Sequence, residues 1–259
     1  MIKHCVSFSG GIGSWAAAKR VADKYGPKNV VLLFADTLME DEDLYRFLDQ
    51  AAENIGSELI KISDGRNPWE IFHDERFLGN SRVDPCSKLL KRKLLDKWRN
   101  KNLDPDAGTM YIGIDWTEEH RLINLQKRCQ PWTYEAPMCE APYLSKAEML
   151  EWAESEGLKR PRLYEMGFPH NNCGGFCIKA GQAQFALLLK TMPERYAFHE
   201  QKEQDLRAHL ERDDITILRK QINKQKINMT LKEFREGIEK QSTLGFDTEE
   251  WGGCGCAID

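Results

Sequence analysis

The run His4-Cys5-Val6-Ser7-Phe8-Ser9-Gly10-Gly11-Ile12-Gly13-Ser14-Trp15-Ala16-Ala17-Ala18 constrains this chain more than any other stretch. A short apolar strand gives way to a turn holding three glycines and two serines, and then to an alanine-rich helix start. Glycines let backbone N–H groups approach an anion without Cβ obstruction, serine hydroxyls donate hydrogen bonds, and a new helix offers unpaired N–H groups and the positive end of its dipole. The plainer alternative is a turn whose glycines serve only close packing. The loop is not of the Walker type, because no Gly-x-x-x-x-Gly-Lys-Ser/Thr occurs and no lysine sits in it.

Trp15 to Tyr25 is predicted as the first helix, ended by Gly26-Pro27. Val30 to Ala35 is a continuous apolar run of strand length, as expected of a parallel strand covered on both faces. It ends in Asp36-Thr37, where a strand's carboxyl end meets the ligand crevice of an open α/β sheet. A local helix cap is the alternative for that pair. Glu40 to Ile55 then reads as a helix, Leu59 to Ile62 as a third strand, and Asp64 to Gly79 as an irregular segment with a short helix. Leu89, Leu90, Leu94, Leu95 and Trp98 form the apolar stripe of a further helix. Its Lys88, Lys91, Arg92 and Lys93 read by default as a solvated face, with a phosphate, sulfate or RNA contact as the alternative.

Met110 to Asp115 is the fourth strand, in which Gly113 leaves room for a base or ribose. Arg121, one helical turn beyond, suits a bidentate phosphate contact, or else answers Glu118 or Glu119. Strands alternating with helices predict an α/β fold, a parallel sheet with helices on both faces. The proline-bearing stretch Gln130 to Pro142 marks the boundary between a nucleotide-binding domain, 1–135, and a helical, cysteine-bearing C-terminal extension, 136–259. That extension should begin with a capping box, Ser145-Lys146-Ala147-Glu148, on a helix through Glu156. Helices over Lys179 to Lys190 and Glu194 to Arg212 are split at Pro193. Two shorter ones are expected over Thr216 to Lys240, carrying Arg219, Lys220, Lys224, Lys226 and Lys232 as a solvated face or a guide for RNA or DNA.

The order Ser9-Gly10-Gly11-x-x-Ser14 resembles the pyrophosphate (PP) loop of the adenine nucleotide alpha-hydrolase (HUP-like) superfamily, especially its phosphoadenosine phosphosulfate reductase branch. The resemblance runs in the family's order from about Val6 to Cys177, through Phe34-Ala35-Asp36-Thr37, the basic helix after Cys86, and Leu163-Tyr164 with Gly167. It implies that Ser9, Gly10, Gly11, Gly13 and Ser14 hold the pyrophosphate of ATP, or the matching part of a sulfonucleotide, and that Asp36 and Thr37 flank the adenosine. It also implies that Gly113 and Asp115 lie beside the nucleotide and that Arg121 steadies the alpha-phosphate or sulfate. Magnesium is a further expected ion, although Gly13 stands where many members carry an acidic residue that would help to hold it.

Eight cysteines in a chain of 259 residues with no secretory signal point to metal or redox chemistry rather than a disulfide scaffold. Cys173 and Cys177, with Gly174-Gly175 between them, can curl around one metal, and Cys86 makes a third soft ligand for an iron-sulfur cluster or zinc. Iron-sulfur members of the resembling branch carry a cysteine pair where this chain has Cys86 alone, so Cys254 or Cys256 is expected to complete a 4Fe-4S site. The branch's reductases instead use a mobile tail cysteine as nucleophile, a catalytic role that Cys256 would take here beside Asp36 and Arg121. Cys5, Cys129 and Cys139 read as buried small hydrophobes.

Lys plus Arg total 37 against 41 Asp plus Glu, a net charge of −4, so any nucleic-acid contact must come from a local patch. No apolar run of 18 residues occurs, and Met1-Ile2-Lys3-His4 leads straight into a strand. The expectation is a cytoplasmic protein with neither signal peptide nor membrane span. Three functions stay open. The first is an ATP-dependent, AMP- and pyrophosphate-forming transferase that adenylates an acceptor for sulfur or nitrogen transfer. The second is a sulfonucleotide reductase drawing on a thiol reductant. The third is a non-catalytic nucleotide-binding regulator with structural zinc. The acceptor is open between a tRNA base, a DNA base and a small metabolite, the sulfur donor is unnamed, and a homodimer is allowed.

Overall fold

The computed structural model describes residues 1–79 and 83–252. Cys254 and Cys256 lie outside the described residues. In chain order β1 (His4–Ser7), α1 (Ile12–Tyr25), β2 (Val30–Asp36), α2 (Glu42–Ile55), β3 (Glu58–Ser63) and α3 (Pro68–Asp74) come first. A π-helical turn over Ser87–Arg92 runs into α4 (Lys93–Asn102), followed by β4 (Thr109–Tyr111), α5 (Glu119–Arg128) and β5 (Thr133–Glu135). The remainder comprises α6 (Lys146–Ser155), α7 (Arg162–Glu165), α8 (Gln182–Thr191), α9 (Pro193–Leu210), the hairpin β6 (Leu218–Ile222) and β7 (Gln225–Met229), and α10 (Leu231–Glu239).

The first five strands form one parallel sheet in the order β3-β2-β1-β4-β5. Alternating side chains feed two layers, as strand geometry requires. Val6, Phe8, Leu32, Phe34 and Tyr111 pack against α1, α2 and α6, while Cys5, Val31, Leu33, Met110 and Ile112 pack against Leu95 of α4 and Leu125 of α5. Ala16, Ala17 and Ala18 are wholly buried, and their small side chains let α1 lie close on the sheet. Both faces of the sheet are therefore covered, which explains the unbroken apolar sequence of β2.

A second core lies under the C-terminal elements, where Phe176, Phe185, Leu188, Tyr196, Met229 and Phe234 meet Trp69 and Phe72 of α3. Glu203 of α9 ties the hairpin to this core, accepting Ile217 N–H at 2.8 Å before β6 and Leu231 N–H at 2.6 Å after β7. Among the described residues no helix is long and apolar enough to cross a membrane.

The structure departs from the sequence-based expectations in three places. Gln130 to Pro142 contains a fifth strand that was not expected, β5, paired with β4 at the sheet's edge. The first of the two helices expected between Thr216 and Lys240 is the β6–β7 hairpin instead. Leu218, Lys220 and Ile222 alternate with exposed Arg219 and Gln221 at strand period, and Asn223 and Lys224 close a tight turn at φ 50° and 63°. Cys129 and Cys139 are half-buried rather than fully buried, and burial pushes the Cys139 thiol up to about 11.

Candidate functional site

In a sheet of this order the strand connections reverse direction beside β1, between its neighbours β2 and β4, and crevices for ligands open at the carboxyl ends of strands at such a point. A cavity of about 140 Å³ lies there, walled by Ser7, Phe8, Ser9 and Ser14 from the first loop and Ala35 from β2. Gly113, Glu118 and Arg121 close it after β4, and Lys91, His170 and Asn172 close the far side. Ser9 and Ser14 of the expected phosphate loop thus face the cavity, and their hydroxyls stand 3.3 Å apart. The Ser14 hydroxyl donates to the Gly11 carbonyl at 2.7 Å, and the Ile12 amide donates to the Tyr164 hydroxyl at 3.1 Å.

Neither Gly10 nor Gly11 walls the cavity, and Gly10 and Gly13 do different work in the loop. Gly10 sits at φ 78°, its carbonyl accepts from the Asn171 side chain at 2.9 Å, and a Cβ there would press on Leu44. Gly13 does not wall the cavity. A Cβ on Gly13 would overlap the Gly113 carbonyl oxygen, and one on Gly113 would overlap the backbone of Ser14. The glycine pair is where α1 and the end of β4 meet backbone to backbone, so an acidic side chain has no room at position 13.

Asp36 and Thr37 are engaged within the protein. Asp36 accepts Leu38 N–H at 2.8 Å and the Tyr45 hydroxyl at 2.9 Å, and burial, reinforced by that bond, raises the Tyr45 phenol. Thr37 is buried and donates to Glu40 Oε1 at 2.9 Å. Asp115 caps the turn into α5 by accepting Thr117 N–H at 2.9 Å. Arg121 and Glu118 form an ion pair, the alternative partnership foreseen for Arg121, yet both side chains wall the cavity.

Cys86, Cys173 and Cys177 converge on one small apolar cavity of about 20 Å³, with Thr37, Asp84, Lys91 and Lys179 around it. Lys91 walls both cavities, so the nucleotide candidate and the thiol cluster are neighbours. Burial pushes the Cys86 thiol up to about 11, reinforced by the Asp84 carboxylate. The Cys173-Gly174-Gly175 turn has three successive left-handed residues, φ 49°, 56° and 82°. Cys173 is the strained member, since only glycine adopts that region freely. Arg195 lies on the face of Gly174 where a Cβ would collide, and its guanidinium donates to the Met39 carbonyl at 2.5 Å. Among the described residues no three His, Cys, Asp or Glu side chains stand in metal-ligating geometry. Three soft sulfurs lining one cavity have the donor chemistry for an iron-sulfur cluster or zinc, but the described residues do not by themselves complete such a site.

Sequence reasoning missed Glu40 and gave Lys91 an anion contact only as the alternative to a solvated face. Lys91, assigned by default to a solvated face, is only 8% exposed, because the π-helical turn rotates it inward. Glu40, read merely as part of an acidic helix start, is a buried carboxylate whose Oε1 lies 3.8 Å from Lys91 Nζ and whose Oε2 accepts the Cys173 amide. The polar run His170-Asn171-Asn172 ahead of Cys173 was the visible signal for the far wall of the cavity.

No protein-family profile matches this chain, and no curated protein matches it in sequence. Among solved structures it is similar to the phosphoadenylyl-sulfate (PAPS) reductase of Candida auris in its phosphate complex, at 13% identity and a TM-score of 0.45, over 64% of this chain and 77% of that one.

Proposed function

We propose that the chain is an enzyme that binds an adenine nucleotide in the cavity at the carboxyl ends of β1, β2 and β4 and brings sulfur chemistry to it. The observation that carries this reading is Lys91, a buried cation that walls both the glycine-serine cavity and the thiol cavity. A nucleotide anion on one side of that ammonium and a sulfur centre on the other would share one cation.

The reaction we favour uses ATP. An acceptor oxygen attacks the alpha-phosphorus, pyrophosphate leaves toward the Ser9–Ser14 loop, and a sulfur or nitrogen nucleophile then attacks the activated carbon and expels AMP. Arg121 and Lys91 offset the negative charge that grows on the alpha-phosphate. Ser9 and Ser14 orient the leaving pyrophosphate by hydrogen bonds. In the finer form of the proposal, Cys86, Cys173 and Cys177 hold an iron-sulfur cluster with a further donor from the tail, and that cluster would supply or present the sulfur.

The adjoining thiols also favour a second reading, sulfonucleotide reduction. There a thiolate attacks the sulfonate sulfur and displaces the phosphoadenosine phosphate. A second thiol then releases sulfite with formation of a disulfide, which an external dithiol reduces. The deciding experiment is anaerobic purification with iron, sulfide and zinc analysis, followed by separate assays of pyrophosphate release from ATP and sulfite release from phosphoadenosine phosphosulfate. Pyrophosphate release supports the first reading and sulfite release the second. A zinc-bearing protein that binds nucleotide without turnover overturns both in favour of a regulator.

A further inference from the structure

The β6–β7 hairpin is anomalous for a chain of net charge −4, because Leu218 to Met229 holds Arg219, Lys220, Lys224 and Lys226 and no carboxylate. Among the described residues none of these four makes an ion pair. The antiparallel register sets Arg219 opposite Asn228 and Gln221 opposite Lys226, so the solvent face is made of cations and amides, while Leu218 and Met229 turn into the core. At the tip, Lys224 is held at φ 63°, where glycine is the ordinary choice, and so projects a charge from a turn that would form more easily without it.

This face is continuous with the site. Arg219, Lys220, Gln221 and Lys226 wall a groove of about 610 Å³ whose opposite wall includes Ile178 and Lys179. Those same two residues wall the thiol cavity, which in turn shares Lys91 with the nucleotide cavity. Asp247 and Glu250 stand on the tail side of the groove, away from the hairpin strands in sequence, and leave cations in excess along it.

We propose that this hairpin groove binds the backbone of a single-stranded nucleic acid, and that the acceptor of the reaction is a base within that strand. Regularly spaced cations interleaved with amides suit a phosphate chain with bases beside it. An acidic protein surface is the rival occupant, and competition by polyglutamate separates the two. The acceptor assignment rests on the proposed nucleotide chemistry, whereas the binding surface stands on its own.

The test uses the full chain and a fluorescently labelled single-stranded RNA and DNA 20-mer, with binding followed by anisotropy from 50 to 300 mM salt. ATP binding is measured separately by calorimetry, so a failed nucleotide reading is recognised apart from a failed hairpin. With four phosphate contacts the logarithmic salt slope should be about −3. The variant Arg219→Gln/Lys220→Gln/Lys226→Gln should weaken binding at least tenfold and cut the slope to about −1. Lys224→Gly should weaken binding while leaving the unfolding temperature unchanged or higher, a divergence that a purely structural lysine would not produce. Strand binding that is absent, or equal in the variants, overturns the proposal. So does displacement of the strand by polyglutamate as effectively as by unlabelled RNA, which would mark a surface for an acidic protein.

Discussion

Glu40 accepts the backbone amide of Cys173 with one carboxylate oxygen and the Thr37 hydroxyl with the other, joining elements 133 positions apart in the chain. The carboxylate is nearly inaccessible to solvent and has the Lys91 ammonium 3.8 Å away. Glu40→Ala should therefore cost about 3 kcal/mol, because it leaves a buried amide and a buried cation without their acceptor. Glu40→Gln keeps an acceptor and should cost about half as much. Urea unfolding measures both, and faster alkylation of Cys173 in each variant would show the thiol turn loosening.

The Gly13–Gly113 contact sets a second expectation. Gly13→Ala places a methyl group against the Gly113 carbonyl and should destabilise the fold by about 1–3 kcal/mol, the usual range for overpacking. Gly13→Asp, which restores the acidic residue common in the resembling superfamily, should lower ATP affinity rather than raise it, since α1 must shift from β4 to admit it. Denaturation and calorimetry on the two variants check this.

Lys91→Met tests the shared wall. Its ammonium faces the buried Glu40 carboxylate at 3.8 Å, so removing it leaves that charge uncompensated and should cost about 3 kcal/mol of unfolding free energy. Nucleotide affinity should fall about tenfold or more, the loss expected from one charge-assisted contact of about 1.4 kcal/mol. Unchanged affinity would remove Lys91 from the site.

Glu203 predicts how stability follows pH. Burial raises its carboxyl from 4.5 to about 7, against the opposing pull of the Ile217 and Leu231 amides. The folded protein therefore binds more protons than the unfolded chain between those values, so stability declines as pH rises through that window. The difference amounts to about 3 kcal/mol at 1.36 kcal/mol per pH unit. In Glu203→Gln the decline between pH 4.5 and 7 should shrink by roughly that amount, measured as the difference between two urea-unfolding series.

Much of the sheet was legible because strand and helix periods differ and because glycine and proline punctuate them. β1 to β4 and the helices α1, α2, α6, α8 and α9 lie within a few residues of expectation. β5 was hidden because three residues, Thr133–Glu135, between two prolines carry no period of their own. The hairpin was hidden because its cations resemble the polar face of a helix, and only the paired strands separate a period of two from one of 3.6. At the site, Ser9, Ser14, Gly113 and Arg121 could be named from local pattern, whereas Glu40 and Lys91 acquire meaning only through partners far along the chain. Asp36 and Asp115 illustrate the reverse, since one oxygen of each accepts an amide only two residues away.

The indole N–H of Trp69 donates to His199 Nδ1 at 3.0 Å, and the imidazole lies flat on Phe176, one residue before Cys177. Its lone pair is thus spent on an indole, the remaining ring proton is held on Nε2, and burial keeps the ring neutral. A histidine placed so near cysteines invites comparison with the base of a thiol protease, but this one has nothing left with which to take a proton. What opposes burial at the Cys86 thiol is the Ser87 amide and the Lys91 ammonium, so the imidazole is a packing element of the second core and the lysine is the group that favours a thiolate there.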